Sequence, residues 1–344
     1  PDNGSAGYEQ VRAIDEALRN RQRAGLRLEA SASHVTRARM LREGKAQFSA
    51  TSVAGSFFAQ EGLFEFGGRD WGPQPVRAVM MNVQSQLMSI ATARDADISA
   101  LAELKGKRVA WVSDAPALNH HLGALLAHAA LSWADVTKVE FPSYGAAIEG
   151  LLKNRTDAAF VASGSAALET LASSPRGLAY PIVPHADPQG WARLQKLAPY
   201  MVRIDATVGA ALSPKQPVEA VTYPYPVLIA LATQREAVVH ALTRDIVGTF
   251  NQYKDKVPGN AGWDLRLQVL SWAVPFHDGT VRFLTEQGLW NAEHQAHHER
   301  LIARQRVLKQ AWDTLRRSAP ESDEPFDKAW MRTRAEALRQ AGLE

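Results

Sequence analysis

The sequence has 344 residues, of which 46% are hydrophobic and 22% charged, a composition that belongs to globular proteins and excludes wholesale disorder. Its 39 basic residues are dispersed and face 36 acidic ones, giving a net charge of +3, which argues against a nucleic-acid partner. The absence of cysteine excludes disulfides, thiolate catalysis and cysteine-ligated metals, and no apolar run approaches the roughly 18 residues of a spanning helix.

Short strand-like runs alternate with helical runs up to about residue 250, and this alternation predicts βαβ units with largely parallel sheets. In the first third of the chain, the glycine- and proline-rich stretch Glu61–Pro75 is predicted as a loop. The other elements predicted there are helices at Tyr8–Arg23 and Val35–Glu43, the latter ended by Gly44, and strands at Leu26–Ala30, Phe48–Thr51, Val76–Asn82 and Gln86–Thr92.

The middle of the chain continues this alternation, with long loops predicted at the proline-rich stretches Pro181–Pro188 and Ser213–Pro226. The predicted elements are strands at Arg108–Val112, Lys138–Phe141, Asp157–Val161, Leu178–Val183 and Val227–Ala232, and helices at Leu118–Leu131, Ala146–Asn154, Ser165–Ala172 and Arg235–Tyr253.

The pattern changes after residue 260, where strand signals end and three helices are predicted at Val281–Gln287, Glu293–Arg317 and Phe326–Gln340. In the middle helix, an apolar stripe recurs at spacings of seven, four and three residues, formed by Leu301, Leu308, Trp312 and Leu315. We expect this stripe to pack on the body of the protein, with dimerisation as the alternative.

Five segments together resemble the TAXI family of solute receptors, the extracytoplasmic binding proteins of tripartite (TRAP) transporters. They are GSAGYEQVRAIDEAL at 4–18, EASASHVTRARMLREGKAQFS at 29–49, ISALAELKGKRVAWVS at 98–113, AAIEGLLKNRTDAAFVASG at 146–164 and VPFHDGTVRFLTEQG at 274–288. The sequence departs from the family pattern in two places. A strand normally precedes the first glycine-rich turn, so either it was removed here or this lobe is built differently. The small turn after LKGKRV is here Ser113–Ala117.

The resemblance implies an α/β fold of two doubly wound lobes, like periplasmic binding proteins, with extra C-terminal helices. Lobe one is expected to comprise residues 1–88 and 227–290, lobe two residues 89–226, and the helical extension residues 291–344. Two crossing strands, near Gln86–Thr92 and Tyr225–Ala232, are expected to join the lobes. Because ligands of open α/β sheets lie beyond the carboxyl ends of strands, the resemblance places the solute in the interlobe cleft.

In lobe one, the candidate ligand-binding residues occupy three small polar turns at strand ends. The first turn opens a helix, whose start favours negative charge, and Ser5 alternatively caps that helix. From the residues alone the two readings are equal, and the resemblance favours ligand contact. The candidates are Gly4, Ser5, Ala6, Gly7 and Tyr8 in the first turn, Ser31, Ser33 and His34 in the second, and Thr51 and Ser52 in the third.

In lobe two, Asp114 either caps the helix that follows it or recognises an ammonium or hydroxyl group of the solute, and the capping role is favoured. Tyr223 and Tyr225 either line the cleft or pack in the core or in a loop. The further candidates of this lobe are Ala115, Ala117, Ser143, Tyr144, Ser163 and Gly164.

Catalytic and metal signatures are weak. Glu293, His294, His297 and His298 have a helical spacing that suits zinc, but Gln295 stands where a metalloprotease carries its glutamate, so a solvated helix face is predicted. His120 and His121 are predicted at the surface. The sequence carries no hydrolase elbow and no dinucleotide-binding fingerprint.

The function implied by the resemblance is a non-enzymatic periplasmic, or otherwise extracytoplasmic, receptor that uses no cofactor and no metal. It is expected to bind a small organic acid or a glutamate-like amino acid and to deliver it to a TRAP membrane permease. Two alternatives stay open: a sensory solute-binding protein for a membrane kinase, and an enzyme on the same bilobal fold.

Overall fold

The computed structural model describes residues 6–21, 25–31, 33–113, 115–318 and 325–344. The chain forms two compact units: unit 1 comprises Pro1–Gln84 and Pro224–Glu344, and unit 2 comprises Ser85–Tyr223. The expected α/β fold of two lobes with additional C-terminal helices is therefore confirmed. Across the described ranges, no helix combines the length and apolar character needed to cross a lipid bilayer.

Strands and helices are numbered separately, each in chain order. The strands are β1 (Ser49–Thr51), β2 (Val76–Met81), β3 (Met88–Ala93), β4 (Arg108–Val112), β5 (Thr137–Phe141), β6 (Ala158–Ala162), β7 (Leu178–Ala179), β8 (Val202–Ala206), β9 (Val218–Thr222) and β10 (Val227–Leu231). The helices are α1 (Ala6–Asn20), α2 (His34–Arg42), α3 (Ala59–Glu61), α4 (Pro116–His128), α5 (Tyr144–Leu152), α6 (Ala166–Ser173), α7 (Pro188–Leu197), α8 (Glu236–Gly248), α9 (Phe250–Tyr253), α10 (Asp278–Glu286), α11 (Ala292–Ser318) and α12 (Phe326–Gln340). A π-helical turn, Ala54–Phe58, runs directly into α3.

Unit 1 is built on a three-stranded sheet in which β10 lies between β1 and β2 and is antiparallel to both. An apolar face of α1 covers this sheet: Ile14 and Leu18 join Val79, Leu228 and Ile246 in one buried cluster. Burying each such side chain contributes on the order of 1.5–3 kcal/mol, so this face fixes α1 to the sheet.

The strand predicted at Leu26–Ala30 is wrong, because residues 25–30 form no regular element. The Leu26 backbone N–H donates to Asp15 Oδ1 at 2.6 Å, and the Leu26 carbonyl accepts from the Arg19 guanidinium at 2.6 Å. Side chains of α1 thus satisfy backbone groups that a sheet ladder would otherwise pair.

Unit 2 is built on a five-stranded sheet of order β5-β4-β6-β3-β7. β4 is parallel to β5 and to β6, whereas β3 is antiparallel to β6 and to β7. The prediction of largely parallel sheets is therefore wrong. Consecutive βαβ units explain why β4, β5 and β6 are parallel. In the five-stranded sheet β3, and in the three-stranded sheet β10, pairs antiparallel with its neighbours, so each of these two sheets departs from the parallel βαβ pattern.

Three elements of unit 2 lie where the sequence predicts loops or nothing. Helix α7 starts at the proline-rich stretch, where the Asp187 side chain accepts the Gly190 N–H at 2.9 Å, and Trp191 and Leu194 are buried. Strands β8 and β9 pair antiparallel, from Val202 opposite Thr222 onward. The prolines in and around these segments favoured a loop prediction. A capping aspartate directly before Pro188 is nevertheless an ordinary start of a helix.

A partly buried ion pair joins β4 to the start of β6. Asp157 accepts the Arg108 backbone N–H at 2.8 Å and pairs with the Arg108 guanidinium at 2.6 Å. Burial acts to raise the pKa of Asp157, but the hydrogen bonds from Arg108 outweigh it and hold that pKa below its ordinary value.

We expect Asp157→Asn to reduce the pH dependence of stability in acid. Because the pKa is lower in the folded state, the stabilisation is present above the unfolded pKa of about 3.9 and is lost as pH falls through the folded pKa. The urea unfolding free energy, measured between about pH 2 and pH 6, should therefore fall less steeply in the variant than in the wild type. Asp255→Asn, whose side chain is 82% exposed, is the control and should follow the wild-type curve; equal slopes in all three proteins would contradict the prediction.

The C-terminal helices α11 and α12 pack on each other and on α3 within unit 1. Two residues of the predicted stripe, Leu308 and Trp312, are buried in a cluster with Trp330 and Leu338 of α12. The stripe is thus covered by residues of its own chain.

Glu61, at the end of α3, is fully buried and pairs with arginines from both C-terminal helices. Arg304 Nε and Nη2 donate to its two carboxylate oxygens at 2.8 and 2.7 Å, and Arg334 Nη2 donates to Oε2. Burial acts to raise the pKa of Glu61, but the two guanidinium groups outweigh it and keep the carboxyl ionised. A second polar contact beside it joins Gln305 of α11 to Gln60, at 2.8 Å.

Candidate functional site

The carboxyl end of β1 in unit 1 carries two of the predicted residues, Thr51 and Ser52. The Ser52 hydroxyl accepts the Ala54 N–H at 3.3 Å, and the Ser52 carbonyl accepts the Ser56 hydroxyl at 2.9 Å, so Ser52 opens the π-helical turn. Thr51 is 1% exposed, and its hydroxyl has no hydrogen-bond partner among the described residues. Because an unpaired buried hydroxyl costs free energy, this group would gain from a bound ligand.

The start of α2 carries the second predicted group. Ser33 is the N-cap, accepting the Thr36 N–H at 3.2 Å, and the Ser31 hydroxyl lies 3.4 Å from the Ser33 carbonyl. His34 Nε2 lies 3.5 Å from Glu65 Oε2, and this contact with His34 holds the pKa of Glu65 below its usual value. The imidazole is therefore placed against a carboxylate of its own chain.

Helix α2 packs against β1, β10 and the π-helical turn, so its inner face adjoins the end of β1. Arg37 lies on that face, four residues before buried Leu41, and one of its guanidinium nitrogens donates to the Ser31 carbonyl. Tyr225, two residues before β10 begins, is half-buried; burial raises the pKa of its phenol, and the Arg37 charge acts in the opposite direction. Arg37 is not among the predicted site residues, although its spacing of four from the apolar Leu41 is a usable signal.

The glycine-rich first turn is only partly described. Gly4 and Ser5 lie outside the described residues. Ala6 is the first residue of α1, Gly7 is buried, and Tyr8 is half-buried. Ligand contact by this turn stays a prediction.

In unit 2, the predicted residues gather at one edge of the sheet. Because β4, β5 and β6 are parallel, their carboxyl ends share that edge, and α4, α5 and α6 each begin there. Asp114 lies outside the described residues. The predicted residues that the structure brings to this edge are Ala115, Ala117, Ser143, Tyr144, Ser163 and Gly164.

Ser143 and Tyr144 start α5. Ser143 is exposed and caps the helix by accepting the Ala146 N–H at 3.2 Å. The Tyr144 hydroxyl accepts the Ala162 N–H at 3.0 Å, which ties α5 to the end of β6, and burial raises the pKa of this phenol.

Ser163 and Gly164 follow β6 directly. The Ser163 hydroxyl is 1% exposed, donates to the Val208 carbonyl at 2.6 Å and accepts the Leu87 N–H at 3.1 Å. Both of its bonds are therefore within the protein. Gly164 is exposed, and a Cβ there would lie 2.8 Å from Gln86 Oε1.

Tyr223 belongs to an aromatic cluster inside unit 2. Its ring lies 5.1 Å from the His121 ring and 6.1 Å from the Tyr200 ring, and Phe160 lies 5.1 Å from His121. The prediction that His121 lies at the surface is wrong, since it is 3% exposed, because α4 turns this side of the helix toward the sheet. Burial, and to a smaller extent the charge of His120, lowers the pKa of His121 to about 3, so the imidazole is neutral.

The histidines of α11 form no solvated face, which corrects the prediction. His298 is 7% exposed against the Trp290 ring, and His297 Nε2 lies 2.8 Å from the Trp272 carbonyl. His294 caps the helix start with Asn291. Across the described ranges, no group of three histidine, cysteine, aspartate or glutamate residues is arranged to hold a metal ion. These imidazoles serve the packing of α11.

A sequence match to a known family covers residues 7–288, well over half of the chain. The chain belongs to the NMT1-like family. A comparison of this NMT1-like protein with curated proteins gives no significant match.

Among solved structures, the NMT1-like protein is similar to the periplasmic sulfonate-binding protein SsuA from Methylobacillus flagellatus KT, at 13% identity and a TM-score of 0.48, over 100% of this chain and 92% of the other. It is also similar to the periplasmic aliphatic sulphonate-binding protein SsuA from Escherichia coli, at 12% identity and a TM-score of 0.46, over 96% of each chain. A third is the open substrate-binding domain 2 of GlnP from Lactococcus lactis, at 13% identity and a TM-score of 0.40, over 76% and 88%.

Proposed function

We propose that this NMT1-like protein is an extracytoplasmic solute receptor that binds a small organic acid or a glutamate-like amino acid. The observation that supports this most is the grouping of small polar turns at strand ends within each unit. In unit 2 the turns after β4, β5 and β6 share one sheet edge, and in unit 1 the end of β1 adjoins α2. In α/β sheets such carboxyl ends are where ligands bind.

The binding chemistry proposed is hydrogen bonding by hydroxyls and backbone N–H groups, with no bond made or broken. Ser33 and Ser143 are exposed helix caps at the starts of α2 and α5, where the helix dipole favours an anion. Receptors of this kind gain affinity by removing the solute from water, so function requires a binding site and no catalytic pair.

The partner proposed is the membrane permease of a TRAP transporter, because the five segments quoted above resemble the TAXI receptors of those systems. Export from the cytoplasm and the TAXI assignment belong to the same proposal. Co-purification with a TRAP permease supports it, and co-purification with a membrane kinase instead would favour the sensory alternative.

The test of solute binding is a thermal-shift series with L-glutamate, succinate, glutarate and propane-1-sulfonate. A solute that binds only the native state stabilises it by RT ln(1 + [L]/Kd), about 2.7 kcal/mol at one hundred times Kd, so the melting temperature should rise with concentration. Succinamide, which has the shape of succinate without its charge, is the control and should give no shift. No shift from a broad acid and amino-acid library at millimolar concentration would contradict the proposal, and turnover of a solute would favour the enzyme alternative.

A further inference from the structure

Arg37 has a setting unlike that of the other cations of α2. Arg39 and Arg42 reach the Trp71 ring, at 5.9 and 4.1 Å, from the outer side of the helix. Arg37 is half-buried and shares the inner face with Leu41, and its bond to the Ser31 carbonyl fixes the direction of the guanidinium. A guanidinium held in this way keeps a planar fork of donors in one orientation, which suits bidentate recognition of an oxyanion.

The second group is the phenol of Tyr225, two residues before β10, and α2, which carries Arg37, packs against both β1 and β10. Burial raises the pKa of Tyr225, and the Arg37 charge acts in the opposite direction. The Tyr225 hydroxyl is a hydrogen-bond donor at neutral pH. A donor near a guanidinium adds to the positive electrostatic potential that an anion would meet there.

The third group is the Thr51 hydroxyl, at the end of β1. Thr51 pairs with Val227 across the sheet, and Tyr225 lies two residues before Val227 in the chain, so Thr51 and Tyr225 belong to the same end of the sheet. A Cβ at Gly55 would lie 2.1 Å from Thr51 Oγ1, so only glycine in the π-helical turn leaves room for this hydroxyl. Single π-helical turns occur often at functional sites, where they re-aim backbone and side chains.

We propose that Arg37, with the hydroxyls of Thr51 and Tyr225, binds the oxyanionic head group of the solute, a carboxylate or a sulfonate. This inference rests on the proposed receptor function and names the residues that select an anion. A half-buried cation that meets a carboxylate or sulfonate gains charge-assisted hydrogen bonds, and the Thr51 hydroxyl gains the partner that its surroundings do not supply. The chain would then discriminate against neutral amides of the same shape.

The test is isothermal titration with L-glutamate and with propane-1-sulfonate, applied to wild type and to two Arg37 variants. Arg37→Met should weaken binding of whichever acid the wild type takes by roughly 100-fold, since truncating one side of a desolvated charge pair leaves the other unpaired. Arg37→Lys keeps the charge and loses the fork, and should weaken binding by about 10-fold. The matched control is Arg39→Met, the same change of charge on the outer side of the same helix, which should bind as the wild type does.

Thr51→Val distinguishes a role of the hydroxyl in solute binding from a purely structural role. The substitution keeps the shape of the buried side chain and removes an unpaired hydroxyl, so the melting temperature of the free protein should stay equal or rise. Binding should nevertheless weaken by roughly 10-fold. If Arg37→Met does not fold, Arg37→Lys and Thr51→Val decide the matter.

The outcomes separate this inference from the proposed function. Binding of an acid by the wild type with unchanged affinity in Arg37→Met and Thr51→Val would overturn the inference and leave the receptor function standing. Binding of glycerol or putrescine, with neither acid bound, would contradict both the inference and the proposed receptor for an organic acid or amino acid. No binding of any solute would overturn both, and a response to only one acid identifies the head group.

Discussion

Glu61→Ala is expected to lower the unfolding free energy by about 3–5 kcal/mol, because it leaves Arg304 and Arg334, whose side chains are each only 16% exposed, without their shared carboxylate. Glu61 is fully buried, so water cannot replace the lost partner without opening the packing of α11 and α12 on α3. Urea unfolding at neutral pH measures the change directly.

The control for this prediction is Glu336→Ala, which removes a carboxylate from an ion pair with Arg339 on the surface of α12. Exposed pairs contribute little because solvent screens them, so this variant should unfold at nearly the wild-type urea concentration. Equal destabilisation by the two substitutions would show that burial of the Glu61 charge has no special consequence.

Trp330→Ala is the second substitution with a large expected effect, about 3–5 kcal/mol of unfolding free energy. Trp330 has no exposed surface, its ring lies edge-on 4.9 Å from the Trp312 ring, and its indole N–H donates to the Gly62 carbonyl at 2.6 Å. Removing the indole therefore leaves a cavity between α12 and the core and an unpaired carbonyl.

Two further substitutions on the same helix divide the Trp330 effect into its parts. Trp330→Phe keeps an aromatic ring and removes the N–H donor, so it should cost about 1–3 kcal/mol, mainly for the unpaired Gly62 carbonyl. Met331→Ala, whose side chain is 45% exposed, is the matched control and should change stability little. A loss from Met331→Ala as large as that from Trp330→Ala would indicate general disruption of α12 instead of loss of the buried indole.

Periodicity predicted most helices of the fold, with α7 as an exception. The stripe of α11 and the stop of α2 at Gly44, where φ is +70°, are local features that sequence spacing and glycine chemistry determine directly. The order of strands in the sheet could not be predicted from local spacing, because the pairing of β10 with β1 and β2 joins segments some 150 or more residues apart. The strand expected at Leu26–Ala30 failed for a different reason, since local hydrogen bonds from the α1 side chains Asp15 and Arg19 pair the Leu26 backbone.

The candidate site shows the same division between local and tertiary information. The caps Ser33 and Ser143 follow from residue type and position before a helix. The neighbourhood of Arg37, Thr51 and Tyr225 depends on how α2 packs on the sheet, which no local pattern reports. Burial of His121 and His298 was missed because histidine is common both at surfaces and in aromatic packing.

The buried carboxylate at the end of α3 also links the C-terminal helices to the rest of unit 1. Glu61 lies inside the segment shared with the family, residues 7–288, while its two guanidinium partners lie beyond that segment. Without the terminal helices, the Glu61 carboxylate would have no counter-charge. Without Glu61, the helices would hold two largely buried guanidinium groups that lack their shared carboxylate. Residues 291–344 are therefore a constituent of unit 1, because their two guanidinium groups neutralise an anion buried in its interior.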